Sequence, residues 1–321
     1  GVLETTLTAQ AGMRKTAGVN RWVMSYNNLL PGPVLIAKPG DILKIKLENK
    51  LNIPTNLHVH GLHVSPLGNS DNPFITVAAG KSFDYEIKIP KNQNSGIFWY
   101  HPHHHEFVAK QVSAGLVGAI IIEGESDKLL TNTKDRTLVL ADPRIGSTES
   151  VMNTSMMDQM HGRSGDFVLI NGQLRPAINA KKGVTERWRI VNSSPSLFLN
   201  LSVESSSFIV IGTDGGRVKP FELQKLIITP GQRFEVLINT KKSGQLKIYE
   251  SGNVIGYLYS DINVPVPPAL PALPTLKATR ERKIAIEQGG RGGMMSTAII
   301  PPPPRQTNNP APARPANSVR R

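Results

Sequence analysis

The 321-residue sequence contains no cysteine. A chain without thiols holds no disulfide framework, no thiolate zinc site, no iron–sulfur cluster and no cysteine nucleophile. Any metal it carries must be ligated by His, Met or carboxylates. Long apolar runs are missing too. The longest, about Gly115 to Ile122, falls well short of the roughly 18 to 20 residues that a membrane-spanning helix needs, so no membrane span is expected. Acidic residues are scarce, with 24 Asp and Glu against 37 Lys and Arg, for a formal charge of +13. That excess invites a nucleic-acid reading only until its location is considered. Residues Lys277 to Arg321 alone carry nine Lys and Arg against two acids, without interleaved aromatics. A solvated tail fits this pattern better than a nucleic-acid partner. Nor is there a pair of carboxylates or a Ser, His and Asp arrangement that argues for a hydrolase.

What the sequence does have is a foldable composition, 39% hydrophobic and 19% charged, in a chain long enough for two ordinary domains. Short runs rich in Val, Ile and Leu recur through the first 260 residues, and no 3.6-period stretch of a dozen residues interrupts them. Asp41 to Leu47, Phe83 to Ile89, Leu116 to Ile122, Thr137 to Ala141, Arg187 to Val191 and Phe234 to Ile238 all read as strands. The chain is therefore expected to be all-β, built as sandwiches.

An internal repeat divides it. Gly40 precedes Asn49 as Gly183 precedes Asn192, Gly80-Lys-Ser-Phe83 matches Gly231-Gln-Arg-Phe234, and Ser95-Gly96 matches Ser243-Gly244. The repeat predicts one sandwich at residues 1–126 and its copy at 134–262. Beyond these, Pro265, Pro267, Pro268, Pro271 and Pro274 make a stiff linker. One strand-like run follows, Arg282 to Glu287. Residues 301 to 321 then hold seven Pro, four Arg and no acid, a composition that cannot bury enough surface to fold alone. The 263–321 stretch is expected to be linker, remnant strand and disordered basic tail. The opening Gly1, in place of Met, suggests a processed or trimmed start.

Seven of the eight histidines lie between residues 58 and 105. They form two groups, Leu57-His58-Val59-His60-Gly61-Leu62-His63 and Trp99-Tyr100-His101-Pro102-His103-His104-His105. On a strand, residues i and i+2 share a face, so His58 with His60, and His101 with His103, each present two imidazoles side by side. Imidazoles so placed suit copper, zinc, iron or nickel. The repeat acts as a control. Counting on from Asn192 and Ser243 by the same intervals reaches Leu201, Val203, Tyr249 and Ser251, so the second copy keeps the scaffold and drops the histidines. His104 falls on the opposite face of the expected strand, and His63 and His105 flank the pairs as accessory candidates. Trp99 and Tyr100 shield the site. Met152, Met156, Met157 and Met160, next to His161, make a second concentration: soft thioethers select Cu(I), although a flexible stretch covering apolar surface would use Met as well. Gly212-Thr-Asp-Gly-Gly216 reads as a turn, since no helix follows it.

His58-Val59-His60-Gly61, followed by Trp99-Tyr100-His101-Pro102-His103, resembles the first two copper signatures of the multicopper oxidases, the laccase-like family. Pro31-Gly32-Pro33, Pro39-Gly40-Asp41, Asn171-Gly172 and Gly212 to Gly216 extend the likeness over roughly residues 25–262. The resemblance implies cupredoxin-like Greek-key β-sandwiches and a periplasmic or extracellular location. It also implies oxidation of a small reducing substrate coupled to reduction of O2 to water. Carried over to this sequence, His58 would be a type 2 copper ligand, and His60, His101 and His103 type 3 ligands. The family places the remaining ligands on a third sandwich, in motifs that need Cys and further His. Here there is no Cys, and the only His beyond 105 is His161. The expectation is thus half of a trinuclear copper site, awaiting a third domain or a second subunit. Read on its own, such a chain is a copper-binding, carrier or interaction module, or a truncated inactive oxidase; a frameshift or premature end of a three-domain gene would produce it. Glu106 departs from the Gly that many relatives carry after the third His of this motif.

Overall fold

The computed structural model describes residues 1–260 apart from 17, 18, 131, 132, 149–152, 154 and 241. The linker, strand and tail expected for 263–321 lie outside these residues, as does Met152. Among the described residues no helix is long and apolar enough to cross a membrane.

The first sandwich comprises β1 (Val2–Thr16), β2 (Val19–Tyr26), β3 (Leu35–Ala37), β4 (Ile42–Asn49), β5 (His58–His60), β6 (Ser82–Lys88), β7 (Gly96–His101), the helix α1 (Val108–Ala114) and β8 (Gly118–Ile122). Its two sheets have the orders β2-β1-β4-β6 and β3-β8-β7-β5. Strand β4 shows why the sequence folds this way: Leu43, Ile45 and Leu47 are buried while Lys44 and Lys46 between them are exposed, the alternation of a half-buried strand.

The second sandwich comprises β9 (Lys134–Ala141), the helix α2 (Met156–His161), β10 (Leu169–Ile170), β11 (Ala177–Ala180), β12 (Thr185–Asn192), β13 (Leu199–Val203), β14 (Phe208–Thr213), β15 (Gly216–Leu223), β16 (Leu226–Ile228), β17 (Arg233–Asn239), β18 (Gly244–Glu250) and β19 (Asn253–Ser260). Its sheets run β10-β9-β12-β17-β14-β15 and β11-β19-β18-β13-β16. The order β3-β8-β7-β5 thus recurs as β11-β19-β18-β13. The parallel pairing of β1 with β4 recurs as β9 with β12. Each sandwich has its own core, one around Leu43, Tyr85 and Phe98 and the other around Trp188, Phe208 and Ile248.

Two buried asparagines hold equivalent places in the copies. Asn49 donates through Nδ2 to the carbonyls of Ile53 and Val77 and accepts from the Leu51 amide. Asn192 donates to those of Leu197 and Ile228 and accepts from the Ser194 amide. The loop that Asn192 closes is one residue longer, and this corrects the count made from the sequence. Thr55 faces Val77 as Leu199 faces Ile228, and His58 faces His101 as Ser202 faces Tyr249. The counterparts of His58 and His60 are therefore Ser202 and Glu204, and Leu201 and Val203 are core residues matching Leu57 and Val59. A slip of one residue moves a whole strand face, but the second copy has no His at either set of positions.

A third apolar cluster joins the sandwiches. Ile97, Trp99, Val112, Val117 and Ala119 of the first pack against Val139 and Val191 of the second. Strand β7 is consequently buried along its whole length, with Phe98 and Tyr100 in its own core and Ile97 and Trp99 against its neighbour.

Replacing Asn49 or Asn192 with Ala strands one amide and two carbonyls in each case. Each substitution should therefore destabilise the fold by about 3 kcal/mol, with similar losses at the two positions in urea denaturation. A large loss at one position and none at the other would contradict their equivalence.

Candidate metal centre

The pairing of β5 with β7 sets the site. It is antiparallel, with His58 opposite His101, Val59 opposite Tyr100 and His60 opposite Trp99. Period-two alternation sends Val59 and Tyr100 into the core and His58, His60, Trp99 and His101 to the other face. One ligand atom from each of His58, His60 and His101 lies within 4.8 Å of the other two.

The hydrogen bonds fix which atoms face inward. His101 Nδ1 lies 2.8 Å from the Pro102 carbonyl, which can only accept, so Nδ1 carries the proton and Nε2 keeps its lone pair. His58 Nδ1 lies 3.0 Å from both carboxylate oxygens of Asp71, which likewise leaves Nε2 free. The same carboxylate accepts from the Val59 amide at 3.1 Å, tying the ring hold to the strand backbone. His60 turns Nδ1 toward His101 Nε2 at 3.3 Å. Two nitrogens each about 2.1 Å from one tetrahedral ion would sit roughly this far apart.

Trp99 lies flat against two of these rings, with centroids 4.9 Å from His60 and 4.1 Å from His101 and interplanar angles of 28° and 27°. It restricts both ring planes from the side facing the second sandwich. Burial pushes the pKa of His60 down to about 3, helped by the Arg233 charge and the neighbouring His58 and His103 rings. Burial also carries His101 well below the usual imidazole range. Both rings are therefore neutral near pH 7, the form that binds metal. Three imidazoles, each offering one ring nitrogen at this spacing, fit a copper ion.

The remaining histidines divide. The sequence places His101 and His103 on one strand face, but β7 ends at His101 because Pro102 has no amide to continue the ladder. His103 is exposed just beyond, its ring 5.3 Å from that of His58 and 6.1 Å from that of His101. Its amide donates to Asn56 Oδ1 at 2.6 Å. Gln111 of α1 braces the approach to β5, donating to the Pro54 carbonyl at 2.7 Å and accepting from Thr55 at 2.9 Å. His104 turns away, 3.2 Å from Thr76 Oγ1 and with its ring against Phe107. His63 and His105 are exposed. Met156, Met157 and Met160 stand exposed on α2, which Arg144 secures by an ion pair with Asp158.

The sequence reading missed Asp71, Gln111 and the wall supplied by the second sandwich. Asp71 sits in a loop thirteen residues after His58, where spacing carries no signal. Gly61 marks the wall on the β5 side: a Cβ there would collide with the Arg233 guanidinium.

A family model described as multicopper oxidase matches residues 8–127, and a second with the same description matches 98–251. The multicopper oxidase Mco of Staphylococcus haemolyticus is 35% identical over 244 residues, covering 74% of this chain and 53% of its own length. Its Staphylococcus epidermidis counterpart is 35% identical over 250 residues, covering 76% and 54%. The chain spans about half the length of these relatives. Among solved structures, the multicopper oxidase of Campylobacter jejuni, described as a metallo-oxidase, superposes with a TM-score of 0.75 at 32% identity, covering 88% of this chain and 62% of that one. The laccase-like CueO of Ochrobactrum sp. superposes with a TM-score of 0.77 at 26% identity, covering 87% and 67%.

Two predictions follow from local geometry. Glu106 adopts φ = +70°, a left-handed conformation that costs a side chain about 1 kcal/mol and glycine almost nothing. Glu106→Gly should raise stability by about that amount in chemical denaturation, and a loss would show that the Glu106 side chain is itself stabilising. The second concerns pH. Below the unfolded value near 6.5, the unfolded chain takes up protons that folded His60 refuses until about pH 3. Metal-free stability should therefore fall as pH drops through that window, and less steeply in His60→Gln.

Proposed function

This chain belongs to the multicopper oxidase family, and from that premise we propose that His58, His60, His101 and His103 hold copper as half of a type 2/type 3 site. Copper is the cofactor of this family. The observation that carries the reading is the convergence of one ring nitrogen from each of His58, His60 and His101 within 4.8 Å. Bound copper would supply one-electron chemistry, coupling oxidation of a small reducing substrate to reduction of O2.

The chain's own part in that chemistry is to hold and orient. Asp71 keeps the His58 Nδ1 proton and turns Nε2 inward, and the Pro102 carbonyl does the same for His101. The His60 proton on Nδ1, which bonds His101 in the metal-free protein, moves to Nε2 when Nδ1 becomes a ligand. Trp99 keeps water from the ring faces it covers. His103, exposed beyond the end of β7, is the ligand through which the half-site meets the groups that complete it. The 321 residues contain no Cys for a thiolate-held copper, so in this reading electron entry and the other ligands come from a further domain or a second subunit. Sandwiches at 1–126 and 134–262 and a periplasmic or extracellular location complete the proposal. His63, His105 and the exposed methionines have no part in the half-site.

Native mass spectrometry after copper loading and removal of loosely held metal tests it. One or two coppers per chain are expected, with stoichiometry lost in His101→Ala. Asp71→Asn should weaken affinity about 10- to 100-fold, the usual effect of releasing a ligand from its partner. Retention of no copper by the wild-type chain, or equal retention by His101→Ala, would overturn the reading.

A further inference from the structure

The second sandwich contributes one charged side chain to the wall behind His60. Arg233, at the start of β17, is only 5% exposed and reaches across the boundary between sandwiches. Its Nε donates to the Ile97 carbonyl in β7 at 3.3 Å, and its guanidinium lies 5.6 Å over the Phe98 ring. Asp214, in the turn between β14 and β15, holds the other end: Nη1 pairs with the carboxylate at 2.7 Å and Nη2 donates to the backbone carbonyl at 3.0 Å.

This anchored cation abuts the ligand strand itself. Gly61 directly follows His60 with φ = +92°, and any Cβ there would strike Arg233 Nη2. Two residues before Arg233, a Cβ on Gly231 would lie 3.1 Å from His60 Cε1, 3.5 Å from His60 Nε2 and 3.7 Å from the Trp99 ring. Both glycines are needed for the two sandwiches to close on His60. Its Nδ1 faces His101, and its Cε1–Nε2 edge faces the turn that leads into Arg233.

A guanidinium stays charged even when buried. Here it rests against the Phe98 ring in a buried position, where charge is poorly screened. Its field disfavours added positive charge at the neighbouring imidazole. The same field acts on a metal bound to the ring, and it opposes Cu(II) more than Cu(I).

We infer that Arg233 is a positioning residue for copper at the His60 side of the half-site, and that its fixed charge, trimmed by Asp214, sets the balance between Cu(I) and Cu(II) there. The inference rests on the copper reading proposed above.

The test uses the full chain and two competition titrations, one with a chromophoric Cu(I) chelator and one with a Cu(II) chelator, together with the potential of the bound one-electron couple. Arg233→Gln should shift the affinity ratio toward Cu(II) by on the order of tenfold, a fall of about 59 mV for one electron. Asp214→Asn leaves the guanidinium uncompensated and should shift the ratio the opposite way. Its half-exposed side chain makes this the variant to rely on if Arg233→Gln does not fold. Arg233→Lys keeps the charge but loses the forked hold, so it should weaken both oxidation states together and leave the ratio near wild type. Opposite shifts in the Gln and Asn variants support the inference, since a merely structural role would move both states alike. No shift in the ratio, or shifts of the same sign, would overturn it while the wild-type copper titration still stands. If the wild-type chain and a His58→Ala, His101→Ala double variant titrate identically, the copper reading itself fails and this inference with it.

Discussion

Everything about the site depends on one ladder, the antiparallel pairing of a three-residue strand, His58–His60, with the end of Gly96–His101. So short a strand has little hold of its own. It is kept in register because Val59 and Tyr100 are fully buried on one side of it and Trp99 is locked between sandwiches on the other. Gln111 and Asn56 brace the chain where it enters His58–His60 and leaves Gly96–His101, at one end of the ladder. The imidazoles inherit their geometry from a backbone with no freedom to slide, so neutral rings can be held close together without a metal to gather them.

Charge is handled by the same economy of burial. Arg189 is almost wholly enclosed and is paired with Asp127, Asp135 and Glu235. Asp127 belongs to the short 3-10 helix, Glu125–Leu130, that leads from the first sandwich to the second. Arg187 and Arg217 join the same carboxylates. Three guanidiniums and three carboxylates make a balanced set, and such networks specify an arrangement more than they add net stability. The connector is thereby pinned to the sheet that carries Arg233, and the wall behind His60 is held by charge pairs as well as by apolar packing.

Much of this was legible in the sequence. The histidine pairs declare a shared face because strand alternation is strict, and the repeated Gly, Asn and Phe positions reveal a duplicated scaffold because each occupies a turn or a buried bond that the fold reuses. What was not legible depends on tertiary approach. Asp71 and Arg233 reach the site from a loop and from another sandwich, and no spacing along the chain encodes such meetings. The extra residue after Asn192 is invisible to counting along the chain for a different reason: loops absorb an insertion at little cost, while the strand beyond turns a different face. Strand alternation alone would carry the second histidine group on past His101, but Pro102 ends the strand there.

The duplication also makes the second sandwich an experimental mould. Ser202, Glu204 and Tyr249 occupy the places of His58, His60 and His101, on a ladder of the same hand and pairing. Grafting three imidazoles there would reproduce the ligand spacing without the Asp71 clamp, the Trp99 stack or the Arg233 charge. The affinity such a graft attained would measure what backbone register alone supplies, and its shortfall from the original would be the share that the surrounding protein has added to a bare scaffold.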